Sequence, residues 1–172
     1  MFFLKDVNLS NKKKDDDFYD EFITDSINVV EYNELPDVFV NIDSWPKSTN
    51  LQCVNCDLSF RGRPWFIPIK QTFKLTNDNV QENALIPYLI FCSPFCVMRY
   101  ITFTKDPKIT NTHDAIEMLK EEALLFLGKK VIHIPPAEPK TIMIQYIGEK
   151  GCTPQEYKDK LAQLWDKIIY KN

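Results

Sequence analysis

Two cysteine pairs constrain this chain more than any other feature. Cys53-Val54-Asn55-Cys56 is followed, after 35 intervening residues, by Cys92-Ser93-Pro94-Phe95-Cys96. A C-x2-C pair on a tight turn directs two sulfurs to one point. In the second pair Ser93 suits a helix N-cap and Pro94 the first helical position, which puts Cys96 at the third. Cys92, just ahead of that helix, and Cys96, one turn inside it, then face the same point. The positive end of the helix dipole favours thiolates there. Four such thiolates suit a tetrahedral, structural Zn²⁺ with no open coordination position. Four buried free cysteines and a redox dithiol are the alternatives. The latter expects its C-x2-C at a helix start after a strand, which CVNCDLSFRG does not resemble. His113 and His133 are substitute ligands by residue type, although each reads more simply as an ordinary surface or hydrogen-bonded histidine. The fifth cysteine, Cys152, reads as a free thiol beside a turn.

The interval between the pairs has the pattern of a β-hairpin. Pro64 to Leu75 and Leu85 to Phe91 are rich in aromatic and β-branched residues, and TNDN at 76–79 is turn chemistry. Pro68 and Pro87 require edge or bulge positions, because neither can donate to a ladder. Two helices are expected further on. One runs over NTHDAIEMLKEEALLFLG, with Asn111 or Thr112 as cap, Ile116, Leu119, Ala123 and Leu127 on one face, and Gly128 as stop. The other starts at Thr153, with Pro154 at the first position and Glu156 completing a capping box. Its apolar stripe is Tyr157, Leu161, Leu164, Trp165 and Ile168. Both stripes read as packing faces, with groove binding the sharper alternative for the second. Val131 to Ile134 is a short strand, Pro135, Pro136 and Pro139 impose an extended connector, and 141–147 is ambiguous between strand and helix.

The resulting fold class is α+β: a small treble-clef-like zinc module (knuckle, β-hairpin, helix) packed with C-terminal helices. Three regions follow. Residues 1–48 form an acidic leader, partly extended or disordered, residues 49–105 the zinc module, and residues 106–172 a helical region with a proline-rich connector. The leader carries a net charge of −6 and the rest +3, within a total of −3. It reads as a solvated arm, or as one that binds a partner or masks the basic face of the body. Val29-Val30 and Val38-Phe39-Val40 look strand-like within it, and SWPKSTN at 44–50 reads as a linker. Asn8-Leu9-Ser10 fits a glycosylation sequon by chance, since no secretory signal precedes it. No run of about 18 apolar residues exists, so a spanning helix is not expected. Cysteines without a secretory signal point to a reducing compartment.

Basic residues cluster near the pairs. Residues 60–110 hold seven Lys/Arg against three acids. Arg61, Arg63 and Arg99 are the residues to test for contact with nucleic acid or an acidic partner, with Trp65 and Phe66 adjoining Arg63. The plainer reading is a solvated face with Trp65 in the core. The overall negative charge argues against a strongly basic nucleic-acid binder. No Ser/His/Asp or Cys/His arrangement and no phosphate loop is present, so an enzyme is not expected.

WPKSTNLQCVNCDLSF, then PWFIPIK, then FCSPFCVMRYI, resembles the zinc-finger module of the late transcription factor 2-like proteins of large cytoplasmic DNA viruses. The FCS-x-x-C element is also similar to the wider FCS/MYM-type fingers, and PPAEPKTIMIQYIGEKGCTPQEY is similar to a tail in the viral proteins. The resemblance covers residues 45–105, and 130–160 more loosely. It implies one zinc ion on Cys53, Cys56, Cys92 and Cys96. It also implies a role in late viral gene expression through contacts with viral transcription proteins or other viral proteins, in the host cytoplasm at the viral factory. The alternative is a virion structural or assembly protein using the same finger, and a third is interference with host signalling. No membrane association is implied.

Overall fold

The structure, a computed structural model, describes residues 35–75 and 81–171, with backbone alone for 71–75 and 81–83. The strand-like Val29-Val30, the sequon and the turn at 76–79 lie outside the described residues.

Aromatic and β-branched side chains set the first element, an antiparallel hairpin of β1 (Trp65–Leu75) and β2 (Gln81–Phe91). Pro68 pairs with Pro87, so the two missing N–H donors share one rung. Register shifts flank that rung, between Trp65 and Ile67 and between Pro68 and Lys70, and Leu89 takes a left-handed φ of 59° within the first. The prolines are thus accommodated by irregularity, as their chemistry requires.

β2 runs directly into α1 (Pro94–Phe103), whose N-cap Ser93 accepts the Cys96 N–H at 3.3 Å. Tyr88 and Tyr100 both donate to Asp106 Oδ2 at 2.9 Å, which ties β2 and α1 to the loop that follows. α2 (Thr112–Leu127) begins at Asn111, whose side chain accepts from the His113 and Asp114 N–H groups, and ends at Gly128 with φ 68°. β3 (Val131–His133) pairs with β4 (Ile169–Tyr170) in a second small antiparallel sheet. Between them lie the proline-rich connector, the short α3 (Ile144–Ile147) and α4 (Pro154–Gln163), so the ambiguous 141–147 segment resolves largely as helix. The Thr153–Glu156 capping box forms in both directions. Among the described residues the architecture is mixed α/β, with two small antiparallel sheets.

Two expectations change. The second stripe does not continue as one helix. α4 stops at Gln163, Trp165–Lys167 form a 3₁₀ turn, and Ile168 is already extended. The β-branched Ile168-Ile169 pair favours strand, and β4 pairing with β3 takes the residues the helix would need. Tyr157 and Ile168 are buried, but Trp165 is 39% exposed.

The segment 44–50 is not a free linker. Trp45 is 2% exposed and donates its indole N–H to the Pro64 carbonyl at 2.8 Å. Phe39 exchanges two backbone hydrogen bonds with Leu85, at 2.9 and 2.8 Å. Its ring meets Trp45, Phe66 and Phe126 at centroid distances of 5.4 to 5.6 Å. Residues 35–46 therefore form an aromatic strap across the hairpin, because four aromatic rings bury more apolar area together than the charged chain around them could.

The main core joins the cysteine knuckle, Ile67, Phe91, Phe95, Ile101, Leu119 and Tyr157 in one cluster. Among the described residues the one buried acid is Glu122, 0% exposed on α2 and bonded to β1. Oε1 accepts the Phe66 N–H at 3.2 Å, and Oε2 has no partner. Burial pushes this carboxyl well above its ordinary value of 4.5, which favours the neutral acid. The folded state then binds one more proton than the unfolded state above pH 4.5, and stability falls as pH rises through that window. Glu122→Gln keeps the acceptor and removes the titration. We expect its stability relative to wild type to improve by up to about 1.4 kcal/mol per pH unit above the unfolded value. Urea denaturation of both proteins at pH 5 and pH 8 reads this out. An unchanged difference between the two pH values would disprove the buried, neutral acid.

Candidate metal centre

The knuckle forms because residues 51–60 fold back on themselves. Asp57 N–H bonds the Cys53 carbonyl at 2.8 Å, Cys53 N–H bonds the Leu58 carbonyl at 3.0 Å, and Gln52 bridges to Ser59. Closing so tight a turn needs a left-handed residue, and Asp57 supplies it with φ 60°. Val54 N–H then donates to the Ile90 carbonyl at 2.9 Å, which docks the knuckle on the end of β2. Two residues on, β2 delivers Cys92, and the first turn of α1 delivers Cys96.

All four sulfurs converge. The Sγ atoms of Cys53, Cys56, Cys92 and Cys96 lie within 4.8 Å of one another. Cys56 to Cys92 is 3.8 Å and Cys92 to Cys96 is 3.6 Å. These separations are far beyond a disulfide bond of about 2.05 Å. They leave room for one metal ion at the centre of the four. Cys53, Cys56 and Cys96 are buried, and Cys92 is half-buried.

The thiols perturb one another strongly. Hydrogen bonding from Cys56, Cys92 and Cys96 holds Cys53 far below the ordinary thiol range. Interaction with the Cys53 and Cys56 side chains pushes Cys92 up, and interaction with Cys53, Cys56 and Cys92, together with burial, pushes Cys96 up. A cation at the centre of the cluster would supply positive charge that favours the thiolate forms.

Residues outside the cysteine pairs hold the knuckle. Asp57 accepts Lys140 Nζ at 2.7 Å and the Tyr146 hydroxyl. The Lys140 hydrogen bond, then that of Tyr146, draws the Asp57 carboxyl below its usual range, and the same contact raises Lys140. The connector is fastened to α1 by Ala137 N–H, which donates to the Phe95 carbonyl at 2.9 Å. Tyr157 donates its hydroxyl to the Glu138 carbonyl, and burial followed by the charge of the cysteine cluster raises its pKa. Sequence reading missed Asp57, Lys140 and Tyr146. Only Asp57, adjoining Cys56, sits where a search around the motif would look.

Other sequence-selected residues lie elsewhere. His113 and His133 are exposed and do not join the cluster. Cys152 is a free thiol whose backbone brackets Met143, with its N–H on the Ile142 carbonyl and its carbonyl on the Ile144 N–H. Its neighbour Gly151 permits that approach, since a Cβ there would meet Ile144 N at 2.5 Å. The three arginines are not brought together around one feature. Arg63 lies over the Phe126 ring at 5.6 Å and Arg99 over the Phe103 ring at 3.9 Å, whereas Arg61 is exposed beside Lys158. Trp65 and Phe66 are core residues, 5% and 0% exposed, so neither offers a stacking face.

No protein-family model, curated protein or solved structure matches this chain.

Because the ligands must shed protons to bind, metal affinity falls as pH falls. Serine at any one of the four cluster cysteines is expected to reduce bound metal below one equivalent and to lower the unfolding midpoint. Cys152→Ser is expected to change neither. Elemental analysis with thermal melts of the five variants decides this. Full metal content in a cluster variant would count against the site.

Proposed function

We propose that the cluster holds one structural Zn²⁺ and that the chain is a non-enzymatic zinc-finger protein acting through protein contacts in late viral gene expression. The observation that carries the metal assignment is the sulfur spacing. A tetrahedron with Zn–S bonds of about 2.3 Å has edges of about 3.8 Å, and Cys92 lies 3.6 Å from Cys96 and 3.8 Å from Cys56, with all four sulfurs within 4.8 Å of one another. Four sulfur donors suit zinc by softness and geometry. A full set of four protein ligands fits a structural ion better than a catalytic one, which keeps a position for water. Knuckle, hairpin and helix N-terminus follow in the order of a treble-clef-like finger. The role in late transcription is supported by the resemblance of residues 45–105 to the late transcription factor 2-like finger.

This chain's own residues supply the rest of the mechanism. Ser93 fixes the first turn of α1 so that Cys96 points inward. Asp57 and Lys140 clamp the knuckle to the connector. The zinc, when bound, neutralises the thiolates and links two segments 35 residues apart.

A late-promoter reporter in infected cells tests the role. Cys92→Ser is expected to reduce late expression about tenfold or more, while Cys92→His, which keeps a zinc donor, retains most of it. A reporter indifferent to Cys92→Ser, with the protein at fixed stoichiometry in purified particles, would replace this reading with a virion structural role.

A further inference from the structure

The wall of the metal centre that faces outward is a groove. One side is the exit of the knuckle, Leu58 to Arg61, and the other is α4 with the turn after it. Cys56 and Cys92 are among its lining residues. It encloses about 320 Å³ over Leu161 and Trp165. It adjoins a second depression of about 700 Å³, with which it shares Phe60, Arg61 and Lys158.

Its chemistry is one-sided. Arg61 and Lys158 line both depressions, and among the described residues no carboxylate lines either. Among the described residues neither cation forms an ion pair, although Lys120 and Lys140 do. Trp165 packs one edge on Phe95 at 4.9 Å and still leaves 39% of its surface open. Phe60 and Leu161 are half-buried on the opposing walls.

We propose that this groove docks an acidic peptide segment of a partner protein, with an aromatic side chain seated against Trp165 and its carboxylates on Arg61 and Lys158. Charge complementarity and apolar lining together select this occupant. A nucleic-acid strand is matched less well. It needs a row of cations along its phosphates, and here two serve both depressions while Arg63 and Arg99 lie on the chain's own rings. A peptide with a few acids needs no more than two, and buried aromatic anchors dominate such contacts. The proposal deepens the interaction-module reading and rests on it, since half of the groove is the metal-held knuckle.

The test uses the full zinc-loaded chain and a fluorescein-labelled peptide DDDFYDEF, which is also the sequence of residues 15–22. Asp15, Asp16, Asp17 and Asp20 are changed to Asn and Glu21 to Gln in the protein so that the acids of its own copy of this segment do not compete. Fluorescence anisotropy is expected to show saturable binding. Either Arg61→Glu or Lys158→Glu should weaken it about tenfold or more, because charge reversal both removes an attraction and adds a repulsion. Arg99→Glu should leave it unchanged. The doubly reversed protein should bind KKKFYKKF instead, which a variant that had merely misfolded would not do. Replacing both aromatics of the peptide with Ala should abolish binding. No saturable binding, or equal binding to the charge-reversed proteins, overturns the proposal. Displacement of the peptide by oligothymidylate, with a steep loss on added salt, overturns it in favour of nucleic acid. Elemental analysis of the same samples separates the two levels: failure with one metal bound removes this inference alone, and absence of metal removes the reading beneath it as well.

Discussion

Convergence of four sulfurs is the constraint on which the rest of the molecule depends. The knuckle has little of its own to hold it: a single bridge between Gln52 and Ser59, a few turn hydrogen bonds and one contact to the end of β2. A chain that short cannot offset the entropy of ordering its backbone, about 1–2 kcal/mol per residue. An ion shared with α1 and bound only by the folded chain would offset that cost with its binding free energy, by joining segments 35 residues apart. The hairpin acts as the spacer that makes the join possible. It carries the chain out and back so that Cys92 emerges beside the knuckle.

Away from the metal, the aromatic strap and the α2–hairpin contact serve the same end by other means. Phe39 and Trp45 seal one face of the hairpin with Phe66 and Phe126, and Trp45 satisfies the Pro64 carbonyl where β1 begins. Glu122 does the equivalent for Phe66, whose N–H takes its acceptor from the carboxyl. The price is a buried oxygen with no partner, tolerable because the acid is neutral. The pole of the hairpin nearest the metal is therefore held on several sides.

What was legible in the sequence is what is local. Ser93 with Pro94, Asn111, Gly128 and the Thr153–Glu156 box each act within one helical turn, so their residue types alone fix the helix ends. The cysteine pairs were legible because each sits on a local geometry that aims its sulfurs. Contacts that depend on distant chain were not. Asp57 meets Lys140 and Tyr146 across 83 and 89 residues, with no pattern to announce it. Trp45 lay in a segment whose Pro, Ser and Asn suggested a linker, and its burial depended on Pro64 and Phe66. α4 ended early for the same reason: the stripe Leu164, Trp165, Ile168 has helical spacing, and the competing partner was β3, more than thirty residues upstream.

Four cysteines that could enclose one ion turn attention to the surface around them. Its basic groups divide into two kinds. Arg63 and Arg99 lie against rings of their own chain, and Lys140 is matched to Asp57. Arg61 and Lys158 face a common groove, one borne by the knuckle and the other by α4. Their separation is set by Tyr157, buried at the start of α4, and by the knuckle's hold on the end of β2. An ion held by the four cysteines would tie the knuckle that carries Arg61 to the start of α1. The spacing of the two charges therefore depends on how the knuckle and α4 are held, not on either element alone.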